Sequence, residues 1–398
     1  MNVPGCPSTI DRVNAYIVDA VRSPIGRKNG ALAGMRGDDL AAQVLSTLVG
    51  RSNLDPAAIE DVQMGCVTQI GEQGWNVGRM AVLAAGWPVS VAATTVDRQC
   101  GSSMQTSFNA ATAVAAGQLD LVVSAGVEMM PRVPMGSNGG SLSDEVTSRH
   151  EIVMQGTSAE LLAKEWRIGR EAQDEYALES HRRAIAASDA GRFESEIASI
   201  ELPDEPSRGG ATTRTRFAVD EAARRDTSLE KLAALAPAFQ TGGVVTAGNS
   251  SQIVDGAAAV LIASESALAA HDLEPRARFV SFGLAGVDPT RMLHGNPEAI
   301  RKALDRAGLT LDDVGVIEVN EAFAVVVLQT VADLGLAERM GDVNPNGGGI
   351  SLGHPLGATG ARITATLLPE LERRGARYGV ASMCVGFGMA IAAVVERL

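Results

Sequence analysis

Short apolar runs rich in β-branched residues alternate along the chain with Ala- and Leu-rich stretches whose apolar positions recur every three to four residues. That alternation predicts an α/β architecture of mostly parallel strands covered by helices. Strands are expected at 15–20, 62–67, 94–96 and 121–127, with helices at 38–48 and 101–116. The order returns later as a helix at 298–307, a strand at 316–319, a Gly-rich turn, a helix at 358–373 and a strand at 379–384. Ile59-Glu60-Asp61-Val62 before one strand echoes Leu311-Asp312-Asp313-Val314 before another, so two similar halves are expected. Between them, from about 128 to 252, the rhythm breaks into Pro131, Pro134, Gly136, Gly139 and Gly140 and a long polar helix at 171–190. This reads as an inserted loop domain, a common place for substrate contacts on a rigid scaffold. The expected division is 1–127 with 253–275 as one half, 128–252 as the insertion and 276–398 as the other half.

With 398 residues, 45% hydrophobic and 20% charged, the chain can bury a large core in more than one unit. Forty-three glycines and only 4% aromatics suit close-packed elements and not an aromatic-lined nucleic-acid groove. The formal charge of −13 argues against general polyanion binding, so an anionic partner needs a local basic patch. Arg208, Arg214, Arg216, Arg224, Arg225 and Lys231 form one; the plainer reading is solvated surface partly paired with Asp220 and Glu221. Cys6, Cys66, Cys100 and Cys384 are too few and too scattered for a disulfide framework or a metal site. No stretch approaches a membrane span and the start lacks a signal-peptide pattern, so a soluble cytoplasmic protein is expected.

Cys100 falls between a strand and a helix starting near Gly101, where unsatisfied amides and the helix dipole favour a thiolate. Taken alone, a buried structural cysteine fits the position as well. His354 sits in Gly347-Gly348-Gly349-Ile350-Ser351-Leu352-Gly353-His354-Pro355, where glycines allow close approach of backbone to a ligand and imidazole suits a general base. A nucleotide-phosphate loop is disfavoured because no GK[ST] follows. Cys384 and Asn320 each end a strand, where open α/β sheets gather their sites. An amide such as Asn320 can hold a water or a developing oxyanion. Cys66 reads as core.

Cys100-Gly-Ser, Asn320-Glu-Ala-Phe, Gly353-His-Pro and Cys384-x-Gly-x-Gly, in this order and spacing, resemble the thiolase family over essentially the whole chain. Val21 to Gly26, Ala247 to Ser251 and Asp255 to Ala258 match as well. The resemblance implies a five-layered α-β-α-β-α thiolase fold, an inserted domain that binds coenzyme A, and homodimers or homotetramers. Coenzyme A would be a co-substrate, with no permanently bound cofactor. The implied chemistry is cleavage of a 3-ketoacyl-CoA: His354 takes the proton of Cys100, the sulfur attacks the keto carbon, Cys384 protonates the departing acetyl-CoA carbanion, and coenzyme A lifts the acyl group off Cys100. The backbone amides of Cys100 and Gly386 would form one oxyanion hole, His354 and a water on Asn320 the other. Arg224 matches a position near the adenine and Ser251 a pantetheine contact, while Met292, Phe239 and Phe323 match apolar positions along the same arm.

Three positions depart from the family pattern: Ser103 and Phe387 stand where glycines are usual, and Met154 where short-chain biosynthetic members carry His. Phe387 could reshape the acyl pocket; Met154 favours a degradative 3-ketoacyl-CoA thiolase over an acetoacetyl-CoA-forming acetyltransferase. A ketoacyl synthase would carry a second histidine in place of Cys384, and a non-catalytic lipid carrier would lack Cys100, His354 or Cys384.

Overall fold

A computed structural model describes residues 14–203 and 215–398. Nine strands form one mixed sheet: β1 Ala15–Arg22, β2 Asp61–Gly65, β3 Ala92–Val96, β4 Leu121–Met129, β5 Val254–Ala263, β6 Ala277–Gly286, β7 Val314–Val319, β8 Tyr378–Val385 and β9 Met389–Arg397, with Gly26–Arg27 added beside β5. The order is β7-β8-β9-β6-β1-β5-β4-β2-β3.

Only β2/β3, β2/β4 and β7/β8 pair in parallel; the other pairings in this sheet are antiparallel. The expectation of a mostly parallel sheet was therefore wrong. The cause lies in β5, β6 and β9, which the apolar pattern did not single out: β5 is buried at every residue, so it lacks the period-two alternation of a half-exposed strand.

The repeat holds at the level of topology. One half runs β3-β2-β4-β5-β1, and the other runs Val343, β7, β8, β9, β6, where Val343 meets Ile317 of β7 in a single parallel bridge in place of a full strand. Helices follow the same scheme: α1 Gly37–Arg51, α2 Val77–Ala84 and α3 Ser102–Ala115 in the first half, α6 Asn296–Ala307, α7 Ala324–Leu334 and α8 Thr359–Arg374 in the second. Leu40, Val44 and Leu48 of α1 join Val77 and Val82 of α2 in a core on the outer face of the first half. Ala299 and Ile300 of α6 with Val327 and Val331 of α7 do so on the second. Met104 and Val114 of α3 and Ala361 and Leu368 of α8 share a central core with Ile17, Val260, Met383 and Ile391, giving five layers.

The central helices meet closely. A Cβ at Gly360 would overlap the Met104 backbone, and one at Gly126 would overlap the Gly357 carbonyl. Glycines of the 347–360 run thus bring backbone close against backbone and side chains of the protein itself. Ser103 has a use here: its Oγ accepts the Ala361 N–H at 3.0 Å, one of the unsatisfied donors in the first turn of α8.

Adjacent strands β4 and β5 are joined by residues 130–253, which carry α4 Gln155–Glu165, α5 Arg170–Asp189 and the two-stranded pair Ile200–Glu201 with Arg216–Phe217. Among the described residues no helix is long and apolar enough to cross a membrane.

Candidate active site

Cys100 lies two residues before α3, whose N-cap is Gly101 and whose first residue is Ser102. Gln99, just before it, holds a left-handed backbone at φ 45°, and Ser102 Oγ donates to its carbonyl at 2.5 Å. The hairpin joining β8 to β9 pairs Val385 with Met389, leaving 386–388 as its turn. Phe387 takes φ 63° there, a conformation a glycine adopts without cost and an aromatic adopts at roughly 1 kcal/mol. Its ring is half exposed. The turn brings the Gly386 amide to the Cys100 sulfur.

Burial pushes the Cys100 thiol up to about 12; the amides of Cys100 and Gly386 pull the other way, and the carboxylates of Glu128 and Asp97 reinforce burial. The helix terminus therefore does not yield a standing thiolate, contrary to the sequence expectation, because desolvation outweighs two amide donors. Cys384, in β8, is 1% exposed and close enough to Cys100 for a charge on that sulfur to raise its own thiol further above the ordinary range, burial being the larger cause.

His354 is 3% exposed. Its Nδ1 is 2.6 Å from Thr359 Oγ1, and that hydroxyl donates to the Pro355 carbonyl at 2.9 Å. With its only proton so used, Thr359 accepts from Nδ1–H, which leaves the lone pair on Nε2. The Asn320 amide Nδ2 faces Nε2 at 3.3 Å, and Asn320 Oδ1 has no protein partner although buried. Burial first and the Arg362 guanidinium second push the imidazole down to about 3, so it is neutral. Asn320 is placed by β7/β8 pairing, its N–H donating to the Ser382 carbonyl at 2.9 Å. Next to it Glu321 is anchored by Tyr176, Ser180 and the Ile350 amide.

Met292 and Phe323 share an apolar cluster with Cys384, and Phe239 stacks edge-on to Phe323 with centroids 5.8 Å apart. Phe239 also covers Gly156, where a Cβ would overlap its ring. The Ser251 N–H donates to the Ala322 carbonyl at 2.9 Å, beside Asn320. Met154 stands apart: it precedes α4 and is 71% exposed.

Arg224 borders a cavity of about 180 Å³ with His181, Lys231, Leu235 and Gly248. Of the basic patch, Arg225 pairs with Asp189 and Lys231 with Asp226, whereas the Arg224 guanidinium has no hydrogen-bond partner among the described residues. Among the described residues of the patch the expected pairing with Asp220 and Glu221 does not occur. Asp220 binds the buried Arg22, and Glu221 accepts backbone N–H groups of Arg27 and Ala31. Arg208 and Arg214 lie outside the described residues, as does Cys6.

Sequence reading missed three groups. His181, buried on α5, accepts the Arg224 N–H on Nδ1 at 3.1 Å and borders the same cavity. Glu128 accepts from the amides of Val67, Thr68 and Gly357 and from Gln73. Arg362 is 1% exposed with all three guanidinium nitrogens lacking a partner. A charged residue inside a strong strand or helix pattern was the only available signal.

Residues 15–266 match the family model for the thiolase N-terminal domain and residues 273–397 that for the C-terminal domain. The chain belongs to the thiolase family. It is 44% identical over 397 residues to the steroid 3-ketoacyl-CoA thiolase FadA6 of Mycobacterium tuberculosis, covering 96% of this chain and 94% of that one. It is 46% identical over 391 residues to a 3-ketoacyl-CoA thiolase of Aliivibrio fischeri, covering 96% and 99%. Among solved structures, an acetyl-CoA acetyltransferase of Bacillus anthracis superposes with a TM-score of 0.88 at 40% identity, covering 97% of this thiolase and 99% of that chain.

Proposed function

We propose that this thiolase cleaves 3-ketoacyl-CoA with coenzyme A to acetyl-CoA and a shortened acyl-CoA, through an acyl group held on Cys100. The observation that carries the reading is the convergence of Cys100, the Gly386 amide and Cys384, together with a neutral His354 whose Nε2 keeps its lone pair and meets only the Asn320 amide, at 3.3 Å. The names borne by the Mycobacterium and Aliivibrio relatives support the degradative direction.

The chemistry follows from the protonation states. Cys100 is a neutral thiol and His354 a neutral base, so the proton moves to Nε2 as the sulfur attacks the 3-keto carbon and not before. The oxyanion formed on that carbon is received by the amides of Cys100 and Gly386. Collapse breaks the C2–C3 bond, and its electron pair becomes the enolate of acetyl-CoA. The imidazolium and a water on Asn320 Oδ1 stabilise the enolate oxygen, and the Cys384 thiol delivers the proton to carbon. The imidazolium restores the proton of Cys384 and is again a neutral base; coenzyme A then gives its proton to His354 as its sulfur attacks the acyl carbon, and the Cys100 sulfur leaves and takes that proton back. Arg224 and Ser251 would hold the nucleotide and pantetheine parts within the 128–252 insertion, with Phe239, Phe323 and Met292 against the arm and Met154 at its rim. No permanent cofactor is invoked, and we place the enzyme in the cytoplasm as a homodimer or homotetramer.

Intact-protein mass after brief mixing with acetoacetyl-CoA or a longer 3-ketoacyl-CoA tests this. An adduct mapped to Cys100, absent in Cys100→Ala and discharged by coenzyme A, is expected, with turnover of the variant down roughly 10⁴-fold or more. Rapid acetoacetyl-CoA synthesis from acetyl-CoA with no cleavage of longer chains would favour the acetyltransferase instead. No adduct with any chain length would leave a non-catalytic carrier.

A further inference from the structure

Breaking the C2–C3 bond divides the substrate between two sulfurs. C3 and the chain beyond it stay on Cys100, whereas C2, the thioester and the coenzyme A arm leave past Cys384. The two sulfurs have different apolar surroundings. Cys384 belongs to a cluster with Met292 and Phe323, against which Val153 of the insertion packs. Cys100 packs against Val67, Met130 and Leu356. Its other apolar neighbour is the central core, whose Met104, Val385 and Ile391 are at most 1% exposed and so closed to a ligand. Val67, Met130 and Leu356 keep 5–6% of their surface open, and Cys100 beside them is partly exposed.

These three side chains come from separate places in the fold. Val67 stands in the loop after β2, Met130 follows β4 directly, and Leu356 opens the turn between His354 and α8. Parallel pairing of β2 with β4 runs the first two segments side by side. Glu128 ties them to the third, accepting the amides of Val67 and Gly357 at 2.9 Å each. The bonds that fix this wall also consume its donors: the Val67 N–H is spent on Glu128 and that of Met130 on the Val254 carbonyl. What remains toward Cys100 is hydrocarbon and one adaptable thioether. Thr68, next to Val67, has a buried hydroxyl without a partner, a single neutral donor that does not offset the desolvation of an ionised carboxylate.

We propose that the acyl group retained on Cys100 lodges against Val67, Met130 and Leu356, a subsite for apolar acyl groups that turns away chains ending in a carboxylate. The inference rests on the reading of Cys100 as the acyl carrier and names the acyl class that it takes. Each methylene buried against such a wall favours the longer chain by about fourfold. A terminal carboxylate would give up its water against residues that offer no cation and whose amides are already bonded.

The experiment measures kcat/KM for acetoacetyl-CoA, 3-ketohexanoyl-CoA, 3-ketooctanoyl-CoA and the six-carbon 3-keto substrate whose far end is a carboxylate. It uses the full-length wild type, Met130→Ala and Val67→Ala, with intact mass following the acyl-enzyme. In the wild type the carboxylate-ended substrate is expected roughly 100-fold below 3-ketohexanoyl-CoA. The ratio of kcat/KM for 3-ketooctanoyl-CoA to that for acetoacetyl-CoA should fall about tenfold in Met130→Ala and about threefold in Val67→Ala. Equal rates for the methyl and carboxylate ends would overturn the subsite. So would ratios unmoved in both variants, since a loss shared by all chain lengths is what packing alone produces. If Met130→Ala does not fold, Val67→Ala and the wild-type comparison still decide. A wild type that forms no adduct at Cys100 with any of these substrates would overturn the proposed reaction and the subsite with it, whereas an adduct with unmoved ratios would overturn the subsite alone.

Discussion

The two halves use the same strand order to opposite ends. In the N-terminal half one carboxylate closes the loop after β2 against the end of β4: Glu128 accepts two amides of that loop, the Gln73 side chain and, across the molecule, the Gly357 amide, all at 2.9–3.0 Å. In the C-terminal half the loop after β7 and the end of β8 carry Asn320 and Cys384, and here bonding stops short. Asn320 Oδ1 has no partner, His354 Nε2 has one long contact at 3.3 Å, and Cys384 is surrounded by apolar groups. Saturated polar groups fix geometry, whereas under-bonded ones retain capacity for a substrate whose charge develops only in the transition state. Cys100 enters from the first half but is completed by the second, through Gly386.

The largest test of that division is Cys384→Ala. If this thiol serves only the carbon–carbon step, cleavage of a 3-ketoacyl-CoA falls by about 10²- to 10⁴-fold. Exchange of an acyl group between coenzyme A and Cys100, which breaks no carbon–carbon bond, stays within about tenfold. Stopped-flow cleavage and label exchange into acetyl-CoA measure the two separately. Equal losses in both would mean that Cys384 supports the site by packing, and the functional asymmetry of the halves would lose its chemical half.

Glu128→Gln probes the other side. Four donors converge on its two oxygens, so an amide nitrogen there must face donors, at a cost of about 1–3 kcal/mol. The urea midpoint should fall while kcat changes little. An unmoved midpoint with collapsed kcat would instead assign Glu128 to the chemistry.

How much of this was legible depended on whether a residue's role is local. Cys100 and His354 stand in tight turns before helices, and turn chemistry is written in neighbouring letters, so both stood out as candidates. Strand β5 was missed because burial on both faces erases alternation, and with it went the antiparallel character of the sheet. Glu128 and Arg362 were missed because a charge in a strand or helix looks solvated until the two halves close over it. The Cys100 environment was misjudged for the same reason: the helix terminus is readable from sequence, but the desolvation that outweighs it belongs to the assembled site. Asp220 and Glu221 were assigned to nearby arginines by proximity in sequence, yet Asp220 answers to Arg22 and Glu221 to a backbone turn at 27–31.

The smallest effect concerns the insertion. Arg224 is exposed, without a hydrogen-bonded acid, and held through its backbone by His181 Nδ1. An exposed cation meeting one nucleotide contributes about 1 kcal/mol. Arg224→Ala should therefore raise KM for coenzyme A about fivefold and leave kcat unchanged, the pattern for binding shared by ground and transition states. Because the contact is solvent-exposed, the wild-type advantage should also shrink at high salt. A fall in kcat at constant KM would show the insertion acting on the chemical step, and the separation between a binding segment and a reacting core would no longer hold.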